Sequence, residues 1–235
     1  MRVLSLTHND NDPSGIFGEA ALERGHRLEE RSLALGRPPA DPVERYDAVL
    51  VFGGTMHTHE EANHPWLRPE KDMLARALDH GVPVFGVCLG GQLLADAAGA
   101  QVHRLPLAEI GWYDVELTQD AQGDPVFDEL PTPFTSYQWH SYRFDLPEGA
   151  VELARNDTCV QAFRLDGSWG VQFHPEVNLP MLDDWITHYD TDPEAQKLGL
   201  EAVSGKAEAR ERLERWNEIG RELCGRFLEF VESRR

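Results

Sequence analysis

Cysteine is scarce in this chain of 235 residues: Cys88, Cys159 and Cys224 are the only three, and no pair has CxxC spacing. An odd, scattered set argues against a disulfide framework. Positive charge is also short, with 22 Lys and Arg against 41 Asp and Glu and a net charge of −19. Such a surface repels phosphate backbones and anionic lipid, so no nucleic acid and no membrane is expected as a partner. No apolar run approaches the length of a membrane span, and Met1–His8 is too poor in apolar residues for a signal peptide. A free thiol then fits a reducing, cytoplasmic setting. The chain has no Gly-x-Gly-x-x-Gly fingerprint. Gly199–Lys206 fails as a phosphate loop, having one residue too many between its glycines and Ala207 where Ser or Thr is needed. His57, His59 and His64 sit on a polar loop without a further ligand set. No cofactor and no metal is expected. There is no internal repeat and no low-complexity segment.

What is present is the content of a globular α/β chain, 41% hydrophobic and 27% charged, long enough for an ample core. Val3–Leu6 reads as a first strand. Ser14 is placed to cap a helix running to about Arg24, which Gly25 stops. Arg27–Leu33 reads as a weaker strand and Asp47–Phe52 as a continuous apolar run suited to a central parallel strand. A helix from about Trp66 to His80 follows. Strands alternating with helices imply βαβ units, with chemistry gathered at the carboxyl ends of the strands. From about Gln101 to Phe173 the texture changes to short strands, with candidates at Trp112–Leu117, Val151–Ala154, Cys159–Arg164 and Gly170–Phe173. Beyond Leu179 the chain reads as helical and acidic. There Leu213, Trp216, Ile219, Leu223, Phe227, Phe230 and Val231 recur at helical spacing, as a face for the body of the domain or for a partner.

The stretch Val82–Leu94 carries the chemistry. A buried strand runs into Gly86-Val87-Cys88-Leu89-Gly90 and leaves as a helix from about Leu89 to Ala98. This is a nucleophile elbow, a tight turn that holds its central side chain up on a strained backbone. The helix N-terminus favours the thiolate and points free N–H groups at an oxyanion. Cys88 is a candidate nucleophile, or else a small buried hydrophobe. A nucleophile needs a base and a group to orient it. His174-Pro175-Glu176 offers both, since residues i and i+2 of an extended segment share a side and Pro175 keeps the segment out of helix. The oxyanion donors expected are the backbone N–H groups of Leu89 and Gly54. Gln92, one turn past Cys88, either faces the same pocket or lies in solvent.

Taken together, Gly53-Gly54-Thr55-Met56, His64-Pro65-Trp66-Leu67, Gly86–Gln92, Glu109-Ile110-Gly111-Trp112, Gln138-Trp139-His140 and Val171–Glu176 resemble a class I glutamine amidotransferase. They are specifically similar to stand-alone proteins like the amidotransferase domain of GMP synthase. The resemblance runs from Val3 to about Asn178. It implies a flavodoxin-like open sheet, mostly parallel, with helices on both faces. It also implies a Cys88–His174–Glu176 triad and a substrate held by Gln92 and by the segment of Trp139 and His140. The chain departs from the family after His140, where Ser141-Tyr142-Arg143 replaces the frequent Gly-Asp. Arg143 there is either a contact for a leaving group or a solvated loop residue.

The expected organisation is an amidotransferase domain over 1–180 with a helical extension over 181–235 packed on it. The expected function is hydrolysis of the glutamine γ-amide through a γ-glutamyl thioester, with ammonia passed to an acceptor on a separate synthetase subunit. A stand-alone hydrolase of γ-glutamyl peptides or conjugates is the alternative. A non-catalytic regulatory or binding homologue is a third reading.

Overall fold

The run Ala48-Val49-Leu50-Val51 is buried on both faces, and the sheet is built outward from it. The computed structural model describes all residues, 1–235. Strand β3 (Ala48–Val51) pairs in parallel with β1 (Arg2–Leu6) on one side and β4 (Val84–Val87) on the other. β1 carries β2 (Arg27–Arg31), and β4 carries β9 (Ser168–Val171), again in parallel. From β9 the sheet continues antiparallel through β8 (Val160–Leu165), β7 (Val151–Arg155), β5 (Val102–Leu117) and β6 (Phe134–Phe144). The full order is β2-β1-β3-β4-β9-β8-β7-β5-β6. This is the flavodoxin-like parallel core expected from the resemblance, extended by an antiparallel half.

Alternation along the strands separates two cores. Leu4, Leu6, Val49, Val51 and Val84 face one side, under α2 (Leu67–Asp79) and α3 (Leu89–Ala97). Val3, Leu50, Phe85 and Val87 face the other, under α1 (Gly15–Glu23) and the long α6 (Ala202–Ser233). The apolar stripe of α6 lies on the sheet, with Leu213, Trp216, Ile219, Leu223, Phe227 and Val231 buried and Phe230 at its edge. Burial of each such side chain is worth about 1.5–3 kcal/mol. Two shorter helices, α4 (Leu179–Ile186) and α5 (Pro193–Lys197), precede α6.

Gly25 and Gly81 follow α1 and α2 with φ of +76° and +66°, so they end those helices as the sequence predicts. Ser14 makes no side-chain cap. Its hydroxyl donates to Glu30 at 2.8 Å instead. Strand β9 starts and ends two residues earlier than the candidate Gly170–Phe173, so Gln172 and His174 lie past its end, the first beside Cys88 and the second in the lining of a cavity, while Phe173 turns into the core. Strand β6 was absent from the candidates, and β5 is much longer than Trp112–Leu117. Pro106 and a register shift between Arg104 and Glu109 break the alternation of β5. Gly205-Lys206 lies inside α6, so no phosphate loop exists there.

Candidate active site

Cys88 stands between β4 and α3 at φ +51° and ψ −108°, a conformation L-residues rarely adopt and one that costs about 1–3 kcal/mol. Crowding explains the flanking glycines. A Cβ at Gly86 would lie 2.5 Å from the Gly90 carbonyl oxygen, and one at Gly90 only 2.1 Å from that of Val51. The Cys88 N–H donates to the Val171 carbonyl at 2.8 Å, which ties the turn to β9. Its thiol meets the Trp139 carbonyl at 3.8 Å and the Gln172 amide nitrogen at 3.7 Å.

The chain leaves β9 into His174-Pro175-Glu176, held on three sides. The His174 N–H donates to the Tyr137 carbonyl at 2.9 Å. Trp216 of α6 donates its indole N–H to the His174 carbonyl at 2.8 Å. The Glu176 carbonyl accepts from the Ile16 N–H at 2.8 Å. The imidazole Nδ1 is 2.8 Å from Glu176 Oε1, with both side chains buried, and Trp185 packs edge-on against the ring. A carboxylate accepts, so Nδ1 carries the proton and Nε2 is left for the thiol. Burial works to lower the basicity of His174, but the charges of Glu176 and Cys88 outweigh it, and the group stands well above its ordinary range.

Cys88, His174 and Glu176 all line one cavity of about 750 Å³. Gly54 and Leu89 line it too. A Cβ on Gly54 would lie 3.0 Å from Leu89 Cδ2, so the Leu89 side chain packs against the Gly54 backbone. The Leu89 N–H is a free first-turn helix donor, and the Gly54 N–H has no partner within the protein. Trp139 forms part of the wall. The Gln92 amide nitrogen donates to the Tyr142 carbonyl at 3.0 Å and lies 3.3 Å from Gln172 Oε1, so it braces β6 while lining the cavity. His140 borders the cavity, but its ring turns to Glu109 and to the Tyr142 carbonyl. Arg143 is not in the lining. It pairs with Asp145 at 2.6 Å, and the arginine that lines the cavity is Arg104 on β5, paired there with Glu194 at 3.1 Å.

Sequence reasoning missed a second group, Glu109, His140 and Cys159, whose donor atoms lie within 4.8 Å of one another. Nitrogen, oxygen and sulfur together could suit a transition metal. However, Gln161 Nε2 donates to Glu109 Oε2 at 3.1 Å and to Cys159 Sγ at 3.4 Å, and Asn156 donates to Glu109 Oε1 at 2.7 Å. An amide N–H of Gln161 is therefore directed at two of the three donor atoms, where a cation would otherwise be bound. His57 and His59 stack on each other and pack at a tilt against Tyr142, whereas His64 packs on Trp66. No helix is long and apolar enough to cross a membrane.

Comparison with known proteins adds to this geometry. The family model "Glutamine amidotransferase class-I" matches residues 26–186. The glutamine amidotransferase-like protein YfeJ of Salmonella typhimurium is 28% identical over 97% of this chain and 96% of its own length. A gamma-glutamyl-L-1-hydroxyisopropylamide hydrolase of Pseudomonas sp is 33% identical over 58% of this chain and 49% of its own. A crystal structure of a glutamine amidotransferase from Thermotoga maritima superposes with a TM-score of 0.88 at 30% identity. The match covers 97% of this chain and 98% of that one.

Proposed function

Because the chain belongs to the class-I glutamine amidotransferase family, we propose that it hydrolyses a γ-glutamyl amide through a thioester on Cys88. The observation that carries this is a strained Cys88 sharing a cavity with an imidazole whose Nδ1 is held by Glu176. Cys88 Sγ attacks the γ-carbonyl while His174 takes the thiol proton. The carbonyl oxygen becomes an oxyanion between the Gly54 and Leu89 N–H groups. On collapse the C–N bond breaks and His174 gives its proton to the departing amine. Water, deprotonated by His174, then cleaves the thioester and returns Cys88 and glutamate. Glu176 orients the imidazole and stabilises its charged form. Trp139 and Gln92 form the substrate wall, and His140 shapes it from behind. A non-catalytic homologue would have no use for the strain at Cys88.

Glutamine is the simplest substrate, its ammonia passing to an acceptor on a separate subunit. A second reading, a stand-alone hydrolase, is favoured by the cavity: about 750 Å³ is room suited to a ligand larger than glutamine. The Pseudomonas relative, whose name describes a larger γ-glutamyl amide, points the same way. In both readings residues 1–180 form the catalytic body and 181–235 a helical extension that braces it. A free nucleophilic thiol suits a reducing, cytoplasmic compartment.

The test is glutamate release from L-glutamine and from a panel of γ-glutamyl amides by the purified protein beside Cys88→Ala. Turnover of glutamine establishes the glutaminase, and turnover of larger amides alone establishes the hydrolase. No turnover on any donor, with Cys88 inert to alkylation, rejects both.

A further inference from the structure

One buried pair beside the cavity has no part in the steps above. His8, just past β1, and Glu70, in the first turn of α2, have fully buried side chains, with His8 Nε2 2.8 Å from Glu70 Oε1. Trp66 stacks on the imidazole with ring centres 5.0 Å apart. On the other side His8 Nδ1 lies 2.8 Å from the Gly53 carbonyl oxygen. A carbonyl only accepts, so Nδ1 carries a proton. Burial works against a charged ring, but Glu70, reinforced by the Gly53 carbonyl and Asp12, raises its basicity overall. Both ring nitrogens of His8 are thus engaged, Nδ1 by the Gly53 carbonyl and Nε2 by the Glu70 carboxylate.

The Gly53 carbonyl and the Gly54 N–H belong to one planar trans peptide, in which they point in opposite directions. Fixing the carbonyl on His8 aims the Gly54 N–H away from His8, and of His8 and Gly54 it is Gly54 that lines the cavity. The peptide's two residues are glycines because a Cβ at Gly53 would lie 2.8 Å from His174 Cε1 and one at Gly54 3.1 Å from His8 Cβ. Glycine leaves the peptide free to rotate.

We propose that His8, clamped by Glu70, is the positioning residue that holds the Gly53–Gly54 peptide with the Gly54 N–H offered to the oxyanion. The proposal rests on the catalytic reading above for its consequence, but its geometry is testable alone. Two variants separate them. His8→Leu removes the donor, whereas His8→Asn places an amide nitrogen near the position of Nδ1. Each is assayed for kcat and KM on the best γ-glutamyl amide and for the rate of Cys88 alkylation by iodoacetamide. Crystal structures of both variants show the peptide.

Loss of a fixed oxyanion donor costs roughly 10²–10³ in rate. The expected result for His8→Leu is therefore a fall in kcat of about 10²-fold, with KM and alkylation within about twofold of wild type and the peptide rotated. His8→Asn should recover most of the rate and the original orientation. An unrotated peptide in His8→Leu overturns the proposal. So does a loss of kcat that Asn fails to rescue and that slowed alkylation accompanies, since that is general damage to the site. If the wild type cleaves no γ-glutamyl amide, the catalytic reading fails, and the peptide orientation in His8→Leu still decides the positioning claim.

Discussion

Two groups of cysteine, histidine and glutamate lie in this fold, made of the same residue types and wired differently. In the first, the imidazole stands between its partners: His174 Nδ1 meets Glu176 at 2.8 Å, and Cys88 helps raise the basicity of the ring. In the second, neither nitrogen of His140 is directed at the sulfur of Cys159. Nδ1 donates to the Tyr142 carbonyl at 2.9 Å, and Nε2 lies 2.9 Å from Glu109 without a well-directed hydrogen bond. Cys159 touches the Gln161 amide instead of a base. Burial first, then the charge of Glu109, pushes its thiol up to about 12. Cys88 also sits on an elbow at a helix N-terminus, whereas Cys159 enters an antiparallel strand. Proximity of three residue types does not make a triad. The order of the hydrogen bonds and the backbone beneath the sulfur do.

The widest separation between the two groups is expected when each loses its sulfur. Cys88→Ser should reduce glutamate release by roughly 10³-fold or more, as loss of a covalent nucleophile does. Cys159→Ser should stay within about threefold, because that sulfur only accepts from an amide. Equal losses in the two would erase the distinction. The carboxylates should separate next, in opposite observables. Glu176→Gln keeps the shape but permits the wrong imidazole tautomer, an error worth up to about 10⁴ in kcat. Glu109→Gln sets an amide N–H against the donating amide of Asn156 or Gln161, at a cost of about 1–3 kcal/mol in stability, read from urea unfolding. If Glu109→Gln abolished turnover without lowering stability, the second group would belong to the chemistry.

A smaller effect distinguishes the groups by pH. His174 is raised above its ordinary value of 6.5, so above that pH the folded chain holds a proton that the unfolded chain has lost. Its contribution to stability is fully present below pH 6.5 and is lost as pH rises through the raised value. His8, also raised, adds to that alkaline limb. Glu109 behaves in reverse. Burial works to raise its pKa, but His140 and Asn156 bring it below the ordinary 4.5. Its contribution is therefore present above pH 4.5 and is lost as pH falls through the depressed value. Thermal melts from pH 3 to 10 should show the acid limb flattened in Glu109→Gln and the alkaline limb flattened in His174→Gln. The same limb flattening in both variants would mean that the groups titrate as one.

The contrast between the groups also explains what could be read from residues alone. Gly86, Cys88 and Gly90 lie two residues apart in one short segment, as do His174 and Glu176, so local geometry announces the elbow and the base. Glu109, His140 and Cys159 come from three segments joined by antiparallel pairing, and β6, which carries His140, shows no clean alternation in Phe134-Thr135-Ser136-Tyr137-Gln138-Trp139-His140. The Asn156-Asp157-Thr158 stretch looks like a glycosylation site in sequence, yet Asn156 holds Glu109. Arg143 is adjacent to the substrate segment in sequence but pairs with Asp145, while Arg104 reaches the cavity from a strand whose bulge hid it. His8 and Glu70 meet across 62 residues, and no spacing rule marks them.

The smallest expected effect comes from the one prop that the first group has and the second lacks. The α6 indole of Trp216 donates to the His174 carbonyl at 2.8 Å, while the rings of Phe134 and Phe173 pack on the same side chain. Trp216→Phe keeps most of that packing and removes the donor, a bond worth about 0.5–1.5 kcal/mol net. If the bond holds His174 in register, kcat should fall by roughly 2–10-fold with KM steady, since about 1.4 kcal/mol is tenfold in rate. Melting should shift by only a few degrees. Full kcat with the same loss in melting temperature would show that the Tyr137 carbonyl and β9 hold His174 in place without the helix. The long α6 would then brace the fold rather than the chemistry.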